Sequence, residues 1–165
     1  MGTNQVQASS SMSSIILPVQ LSTVPNTFYY DKIASQAIIL RALMWVGKCG
    51  YATGGCGPIN FDCSGLVAYA ITGEHRRYFS TGGDPISNFT TYTIQSRHDL
   101  FAEINDPLPG DIANYHLGSD DGHCGIVLRE GLMVHAVNTT DKVSIGWINT
   151  VSFPYRYYRY LGGLW

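Results

Sequence analysis

The stretch FDCSGLVAYA, residues 61–70, contains the feature on which both the fold and the chemistry of this chain depend. Its first residues favour an extended backbone, and the small and apolar residues that follow predict a helix that ends at Gly73. Cys63 therefore lies at the predicted start of a helix, where backbone N–H groups and the helix dipole stabilise a thiolate. Free cysteines are also among the most buried residue types, so a purely structural Cys63 is the alternative.

The residues before this stretch predict one helix and one glycine-rich loop. Asp31 can cap a helix over DKIASQAIILRALMWVG, and Gly47 or Gly50 can end it. The apolar residues of this helix occupy nearly every face, a pattern typical of a helix buried in a core. The next segment, CGYATGGCGPINFD, is too rich in glycine for regular structure and leads directly to Cys63.

The residues after the Cys63 helix divide into an irregular part and a β-rich part. Residues 74–108 are interpreted as a long surface excursion with short helical pieces, of the kind that often borders a binding site. Short β-rich segments then alternate with turn signals; in order they are DIANYHL, HCGIVLR, LMVHAVN, KVSIGWI and YRYYRYL. Helices followed by about five antiparallel strands predict an α+β fold, with the helices packed on a central antiparallel sheet.

Length and composition limit the classes of function. A chain of 165 residues suits one core, and we assign a single domain to residues 28–165. Residues 1–27 carry no charged side chain and are interpreted as a flexible or loosely docked arm. The net charge of −2 provides no basic field for nucleic acid, and no apolar run approaches the roughly 20 residues of a membrane span. We therefore expect neither nucleic acid nor a membrane span, and we expect a monomer.

The four cysteines do not have the spacing of a zinc site, which uses pairs two to four residues apart. They are Cys49, Cys56, Cys63 and Cys124. A disulfide between Cys49 and Cys56 stays open at this stage, because its geometry does not follow from the sequence.

Nucleophilic catalysis by cysteine requires a base and a group that orients the base. His123 begins the segment HCGIVLR, and His135 lies in the next segment, LMVHAVN. A tight turn at residues 130–131 would place residue 126 opposite His135. His123 would then lie two to three positions from the residue opposite His135, and side chains on such a diagonal can still reach each other. We expect His135 to hold one nitrogen of His123 while the other nitrogen faces Cys63. The alternative is two half-buried strand histidines that are satisfied by the backbone.

Two further residues lie near the predicted histidine pair. His116 ends the preceding strand and is a spare candidate for lining the cleft. Cys124 directly follows His123, and the alternation of side chains along a strand predicts that its thiol points to the opposite face.

Three blocks of sequence carry a resemblance to a known family. They are GYATGGCGPINFDCSGLVAYA, PLPGDIANY and DGHCGIVLREGLMVHAV. Together they resemble the NlpC-type (NlpC/p60) family of cell-wall cysteine peptidases, the bacterial branch of the papain-like superfamily. The resemblance covers roughly residues 33–161 and implies the papain-like NlpC-type fold. It also implies that Cys63 is the catalytic nucleophile, that His123 is its general base and that His135 orients the base.

The same resemblance implies a set of substrate-binding residues. Tyr51 matches a tyrosine of the glycine-rich loop that borders the nucleophile and contacts substrate. Asp62 and Ser64 match residues that family members use to bind the amine end of a peptide substrate. Thr53 stands where the family often has tryptophan, so we expect a wider or altered substrate cleft in this chain.

The function implied by the resemblance is that of a peptidoglycan hydrolase. Such a cysteine endopeptidase cleaves the stem peptide, commonly between D-γ-glutamate and a diamino acid, through a thioacyl intermediate on Cys63. It uses no metal or organic cofactor, and its partners are stem peptides or muropeptides. Action on the cell wall implies a protein that is secreted, periplasmic or delivered, although residues 1–27 lack the basic start of a signal peptide.

Other functions stay open on the sequence alone. An N-acetylmuramoyl-L-alanine amidase of the same fold would cut a different bond with the same residues. A non-catalytic cell-wall-binding module, or a structural protein that uses the fold as a scaffold, would have no thiol with an unusually low pKa.

Overall fold

The computed structural model describes residues 30–78, 80, 84–115, 122–138 and 142–162. The predicted arm at residues 1–27 and His116 lie outside these residues. The described helices are α1 (Lys32–Leu43), α2 (Cys63–Thr72) and α3 (Thr91–Ser96), with a short 3-10 helix at Ile148–Thr150. The described strands are β1 (Gly50–Tyr51), β2 (Asn60–Phe61), β3 (Phe101–Ile104), β4 (Ile112–Asn114), β5 (Cys124–Arg129), β6 (Leu132–Val137), β7 (Lys142–Trp147) and β8 (Arg156–Tyr160).

The centre of the fold is a six-stranded antiparallel sheet with the strand order β3-β8-β4-β5-β6-β7. The five predicted β-rich segments form β4 to β8. The sixth strand, β3, lies at one edge and pairs Phe101 with Tyr160 of β8. Strands β1 and β2 form a separate parallel pair within the glycine-rich loop.

The interpretation of residues 74–108 as a surface excursion is wrong from residue 86 onward, although α3 is one of the short helical pieces that it included. This part adds β3 to the sheet, and its apolar side chains are buried in the main core: Ile86, Phe89, Ile94, Leu100 and Phe101. The partner of β3 is the last strand of the chain, so a four-residue segment acquires its strand conformation from a distant pairing.

Helix α2 is buried along its whole length, as all of its ten residues are shielded from solvent. It packs between α1 and the sheet face formed by β5 and β6. The helix ends as predicted at Gly73, which has a left-handed φ of 74° and donates its N–H to the Tyr69 carbonyl. This central helix fixes the position of Cys63 relative to the sheet.

Helix α1 begins as predicted, because the Asp31 side chain accepts hydrogen bonds from the N–H groups of Ile33 and Ala34. It ends at Leu43, before either of the predicted glycines. The prediction that the helix is buried is wrong. Only four of its residues, Ala34, Ser35, Ile38 and Ala42, are buried. The apolar residues Ile33 and Leu40 are 72% and 66% exposed.

Strands β5 and β6 form the predicted hairpin, in a register that differs by one residue. Ile126 pairs with Val134 instead of His135, because a β-bulge lies between Val127 and Arg129 near the turn. Cys124 and Ile126 face the helices, whereas Val127 lies in a smaller apolar cluster on the other face of the sheet.

In the part of the chain that the structure describes, no helix has the length and apolarity needed to cross a bilayer.

Candidate active site

The glycine-rich loop runs directly across the first turn of α2. The Gly55 carbonyl accepts a hydrogen bond from the Asp62 N–H at 2.9 Å, and the Asp62 carboxylate caps the helix by accepting from the Gly65 N–H at 2.7 Å. A Cβ atom at Gly65 would overlap the Gly55 carbonyl oxygen, so only glycine permits this approach. The loop therefore fixes the position of Cys63 at the start of the buried helix α2.

Cys63 lies at the first position of α2 and is 7% exposed, at the wall of a cavity of about 370 Å³. Its Sγ lies 4.0 Å from the carbonyl oxygen of Gly122. The pKa of the Cys63 thiol is well below its ordinary value. The largest cause is a hydrogen bond with Cys124, followed by a hydrogen bond with His123 and the charge of that imidazole, which outweigh the effect of burial.

The prediction that Cys124 points away from Cys63 is wrong. Cys124 is fully buried, lies in the same core cluster as Cys63, and is the first cause of the lowered pKa of Cys63. The prediction applied strand alternation from His123, but β5 begins at Cys124, and His123 lies before the regular strand. Burial, together with the adjacent Cys63 sulfur, raises the pKa of the Cys124 thiol well above its ordinary value, so Cys124 stays protonated and donates.

The two strand histidines are in direct contact, with 2.8 Å between His123 Nε2 and His135 Nδ1. Their rings meet edge to face with centroids 5.0 Å apart. His135 is only 6% exposed, and burial, followed by the charge of His123, lowers its pKa to about 4. His135 is therefore neutral near pH 7, so its Nδ1 can accept a hydrogen bond from His123.

Two strand glycines make room for His135, and the sequence analysis did not single them out. A Cβ atom at Gly146 of β7 would lie 2.7 Å from His135 Nε2, and one at Gly125 of β5 would lie 3.0 Å from His135 Cβ. Their signal is visible in the sequence, since an isolated glycine within a strand pattern often marks a close approach.

Tyr51 lies between two cavities that flank the Cys63–His123 pair. The parallel pairing of Tyr51 with Phe61 places it two residues from Cys63 along the neighbouring strand. Burial, followed by the nearby Cys63, Asp62 and Cys124, raises the pKa of Tyr51 to about 12. The phenol therefore stays protonated at neutral pH and is able to donate a hydrogen bond.

The first cavity lies on the Cys63 side, and the second, of about 320 Å³, lies on the His123 side. The first is lined by Tyr51, Thr53, Gly54, Asp62, Cys63, Ser64, Arg77, Asn88, Thr90, Thr91 and Gly122. The second is lined by Tyr51, His123, His135, Ala136, Val137, Asn138, Thr150 and Val151. The two cavities together provide room for a peptide on both sides of the Cys63 sulfur.

Asp62 and Ser64 lie in the first cavity, but they are joined there by a residue that the sequence analysis missed. Arg77, from the segment after α2, forms an ion pair with Asp62 and donates to Ser64 Oγ at 3.1 Å. No sequence pattern distinguished Arg77 from its neighbour Arg76, because its role depends on how the chain folds back over the helix start.

The cysteines are all free, so the open alternative of a Cys49–Cys56 disulfide is not realised. Among the described residues, no three His, Cys, Asp or Glu side chains are grouped so that they could hold a metal ion. The arrangement is a thiol at a helix start, an imidazole beside it and a second imidazole behind the first, which are the groups that nucleophilic catalysis by cysteine requires.

Comparison with known proteins gives a consistent result. The family model described as the NlpC/P60 family matches residues 47–162. A probable endopeptidase of Mycobacterium tuberculosis is 35% identical over 106 residues, which cover 61% of this chain and 23% of that protein. The chain thus spans less than a quarter of this curated relative.

Solved structures are similar over most of the chain. The NlpC/p60 domain of the peptidoglycan hydrolase SagA has a TM-score of 0.51 and 26% identity, covering 74% of this chain and 96% of that chain. The peptidoglycan hydrolase RipB from Mycobacterium tuberculosis shares the fold, with a TM-score of 0.58 and 23% identity over 79% of this chain and 66% of that chain. These similarities confirm the predicted NlpC-type α+β fold. Because the family model matches residues 47–162, which are most of the sequence, this chain belongs to the NlpC/P60 family.

Proposed function

We propose that this protein is a cysteine endopeptidase that cleaves the stem peptide of peptidoglycan, at the bond between D-γ-glutamate and the diamino acid. The observation that carries the proposal is the Cys63 thiol with its lowered pKa, placed at a helix start beside His123. Family membership supports the substrate, because the similar SagA and RipB structures are of peptidoglycan hydrolases.

The first half of the reaction forms a thioacyl enzyme. The Cys63 thiolate attacks the amide carbonyl carbon, a C–S bond forms, and the carbonyl π electrons move to oxygen. The Cys63 backbone N–H, which has no partner within the helix, donates to this oxyanion, and the protonated Tyr51 phenol is the second donor. The tetrahedral species then breaks its C–N bond, and the leaving amine takes a proton from the His123 imidazolium.

The second half releases the product. His123 removes a proton from a water molecule, the resulting hydroxide adds to the thioester carbonyl, and the C–S bond breaks to restore the thiolate. The His123–His135 contact supports these roles if His123 carries its proton on Nε2 and donates to His135 Nδ1. His123 Nδ1 is then the atom that exchanges a proton with sulfur, water and the leaving amine. His135 holds this tautomer without adding a charge.

The test is to digest purified peptidoglycan with the wild-type protein and with Cys63→Ala, and to identify the products by mass spectrometry. An endopeptidase releases shortened peptides that begin with the diamino acid, whereas an amidase releases whole stem peptides. We expect the shortened peptides from the wild type and none from Cys63→Ala. Whole stem peptides, or hydrolysis by Cys63→Ala at the wild-type rate, would overturn the proposal.

A further inference from the structure

The backbone of His123 is held by Tyr115. Strand β4 ends at Asn114 and β5 begins at Cys124, and these two residues form the last pair of the ladder between the strands. One step beyond that pair, the Tyr115 N–H donates to the His123 carbonyl at 2.7 Å. Side chains at the same level of two antiparallel strands lie on the same face. Tyr115 and His123 are therefore side by side, although neither belongs to a regular strand.

The ring of Tyr115 also lies against the imidazole of His123. The two centroids are 5.7 Å apart, and the ring planes are inclined by 43°. His135 meets the same imidazole edge to face and brings its Nδ1 to 2.8 Å from His123 Nε2. A hydrogen bond at one nitrogen fixes that atom but lets the ring tilt about it, whereas a neighbouring aromatic ring restricts the tilt. Tyr115 and His135 together therefore determine where His123 Nδ1 points.

Tyr115 is itself fixed at both ends of its side chain. It is 2% exposed, and its hydroxyl donates to the Ile148 carbonyl at 2.6 Å. Ile148 is held in turn, because its N–H donates to the Gly131 carbonyl at 2.9 Å. Burial, followed by the nearby Tyr155 and Tyr157, raises the pKa of Tyr115, so the phenol stays protonated and keeps this hydrogen bond. The ring that faces His123 is therefore a rigid surface.

The anchor of Tyr115 belongs to the segment that forms one wall of the second cavity. Ile148 begins the 3-10 helix that ends at Thr150, and Thr150 and Val151 line that cavity. Tyr115 is not among the residues that line either of the two cavities. It therefore lies behind the imidazole, where it contacts His123 without reaching the space that a substrate would occupy.

We propose that Tyr115 is a positioning residue for the reaction, which sets the plane of the His123 imidazole so that Nδ1 faces the Cys63 sulfur. His135 fixes one end of the imidazole through Nε2, and Tyr115 fixes the orientation of the ring about that point. The effect on cleavage rests on the proposed function. The effect on the geometry of His123 and Cys63 does not.

The kinetic experiment compares Tyr115→Leu with Tyr115→Phe on a purified disaccharide-tripeptide whose stem is L-Ala–γ-D-Glu–meso-diaminopimelate. We expect Tyr115→Leu, which removes the flat ring, to lower kcat by about 10-fold or more and to change KM by less than about 2-fold. Tyr115→Phe keeps the ring and should retain a kcat well above that of Tyr115→Leu. An unchanged kcat in folded Tyr115→Leu, or equal losses in the two variants, would overturn the inference.

Tyr158→Leu is the matched control for a loss of packing. Tyr158 is also 2% exposed, but it lies in the main core on the helix side of the sheet. The same substitution there removes a buried ring of the same size and leaves the contacts of His123 in place. We expect its kcat to stay within about 2-fold of the wild type. A loss equal to that of Tyr115→Leu would show that burial alone explains the effect.

A second readout requires no peptidase activity. The hydrogen bond and the charge of His123 help to lower the pKa of Cys63, so a turned imidazole should raise the midpoint of Cys63 alkylation by iodoacetamide. We expect this rise in Tyr115→Leu and no rise in Tyr158→Leu. The other groups that shift the pKa of Cys63, Cys124 and Asp62, are left in place by both variants.

The rise caused by Tyr115→Leu should vanish in a His123→Ala background, because Tyr115 acts through His123. A rise that persists there, or no rise in folded Tyr115→Leu, would overturn the inference. A wild-type protein that cleaves no disaccharide-tripeptide would instead remove the proposed function, since alkylation is read separately.

The wild-type protein provides a test that depends on no variant. Proton NMR should show nuclear Overhauser contacts between the ring protons of Tyr115 and those of His123, whose ring centroids are 5.7 Å apart. The absence of these contacts in the folded wild type would overturn the inference, whether or not Tyr115→Leu folds.

Discussion

Cys124 is the first among the causes that lower the pKa of Cys63, ahead of its neighbour His123. Its buried thiol donates to the Cys63 sulfur, and this hydrogen bond is the largest cause of the lowered pKa. A hydrogen bond to the charged form of a group favours that form, and it does so more strongly where water is excluded. The residue next to the proposed base therefore also affects the pKa of the proposed nucleophile.

We expect Cys124→Ala to raise the pKa of Cys63 and Cys124→Ser to raise it less, because serine keeps a donor at the same place. The sign follows from the direction of the shift: with the stabilising donor removed, the thiolate forms only at higher pH. The measurement is the pH dependence of Cys63 alkylation in each variant. Cys49→Ala is the control, since Cys49 is buried in the same core and is not among the causes of the Cys63 shift. An identical pH dependence in Cys124→Ala and wild type would contradict this interpretation.

At the scale of elements, three adjacent strands position the second imidazole. His135 extends from β6, and the glycines of β5 and β7 that approach it, Gly125 and Gly146, leave space for its ring. The hydrogen bond to His123 then crosses from β6 to the residue just before β5. The position of the proposed base therefore depends on the packing of the sheet as well as on the loop that carries His123.

We expect Gly146→Ala to reduce kcat by about 10-fold or more, because a Cβ atom 2.7 Å from His135 Nε2 forces the ring away from His123. A double-mutant cycle is the measurement: the effect of Gly146→Ala on kcat should vanish in a His135→Ala background. Equal losses in both backgrounds would show that Gly146 acts without His135.

At the scale of the whole molecule, one buried ion pair joins the last strand to the turn before β4. Arg159 donates to the two carboxylate oxygens of Asp111 at 2.9 and 2.8 Å, and Asp111 is 2% exposed. Asp111 also accepts from the Leu108 N–H at 2.7 Å, which shapes the turn. The contact ties the end of the described chain to the middle of the sheet.

We expect Arg159→Met to destabilise the protein by about 3 kcal/mol, because it leaves the buried Asp111 carboxylate without its counter-ion. Arg156→Met is the control in the same strand. Its pair with Glu103 is 68% and 46% exposed, so its loss should change stability little. The free energy of unfolding in urea measures both variants. Similar losses from the two substitutions would contradict the distinction between the buried and the exposed pair.

The sequence predicts local elements of this fold better than distant contacts. The α2 start at Cys63, the Gly73 stop and the five later strands follow from periodicity and turn residues, which are local. Strand β3 is missed because its strand conformation depends on pairing with β8, far along the chain. The burial of α1 is overestimated because apolar residues do not specify which face another element covers.

The same distinction applies to the candidate site. The contact between His123 and His135 follows from hairpin geometry, which a tight turn nearly fixes. Arg77 is missed because it reaches Asp62 only after the chain reverses beyond α2. The direction of the Cys124 side chain is predicted wrongly, because the alternation of side chains along a strand is counted from His123, which lies before the start of β5.

The proposed mechanism requires that Cys63 is ionised at neutral pH. This is tested by the pH dependence of its alkylation by iodoacetamide, with the modified residue located by mass spectrometry. A free thiol has a pKa of about 8.5, so a lowered pKa keeps Cys63 reactive at a pH where an ordinary cysteine is protonated. We predict a midpoint well below that of an ordinary thiol in the wild type, and a higher midpoint in His123→Ala. A Cys63 midpoint at or above about 8.5, or a thiol that does not react in the folded protein, would contradict the account.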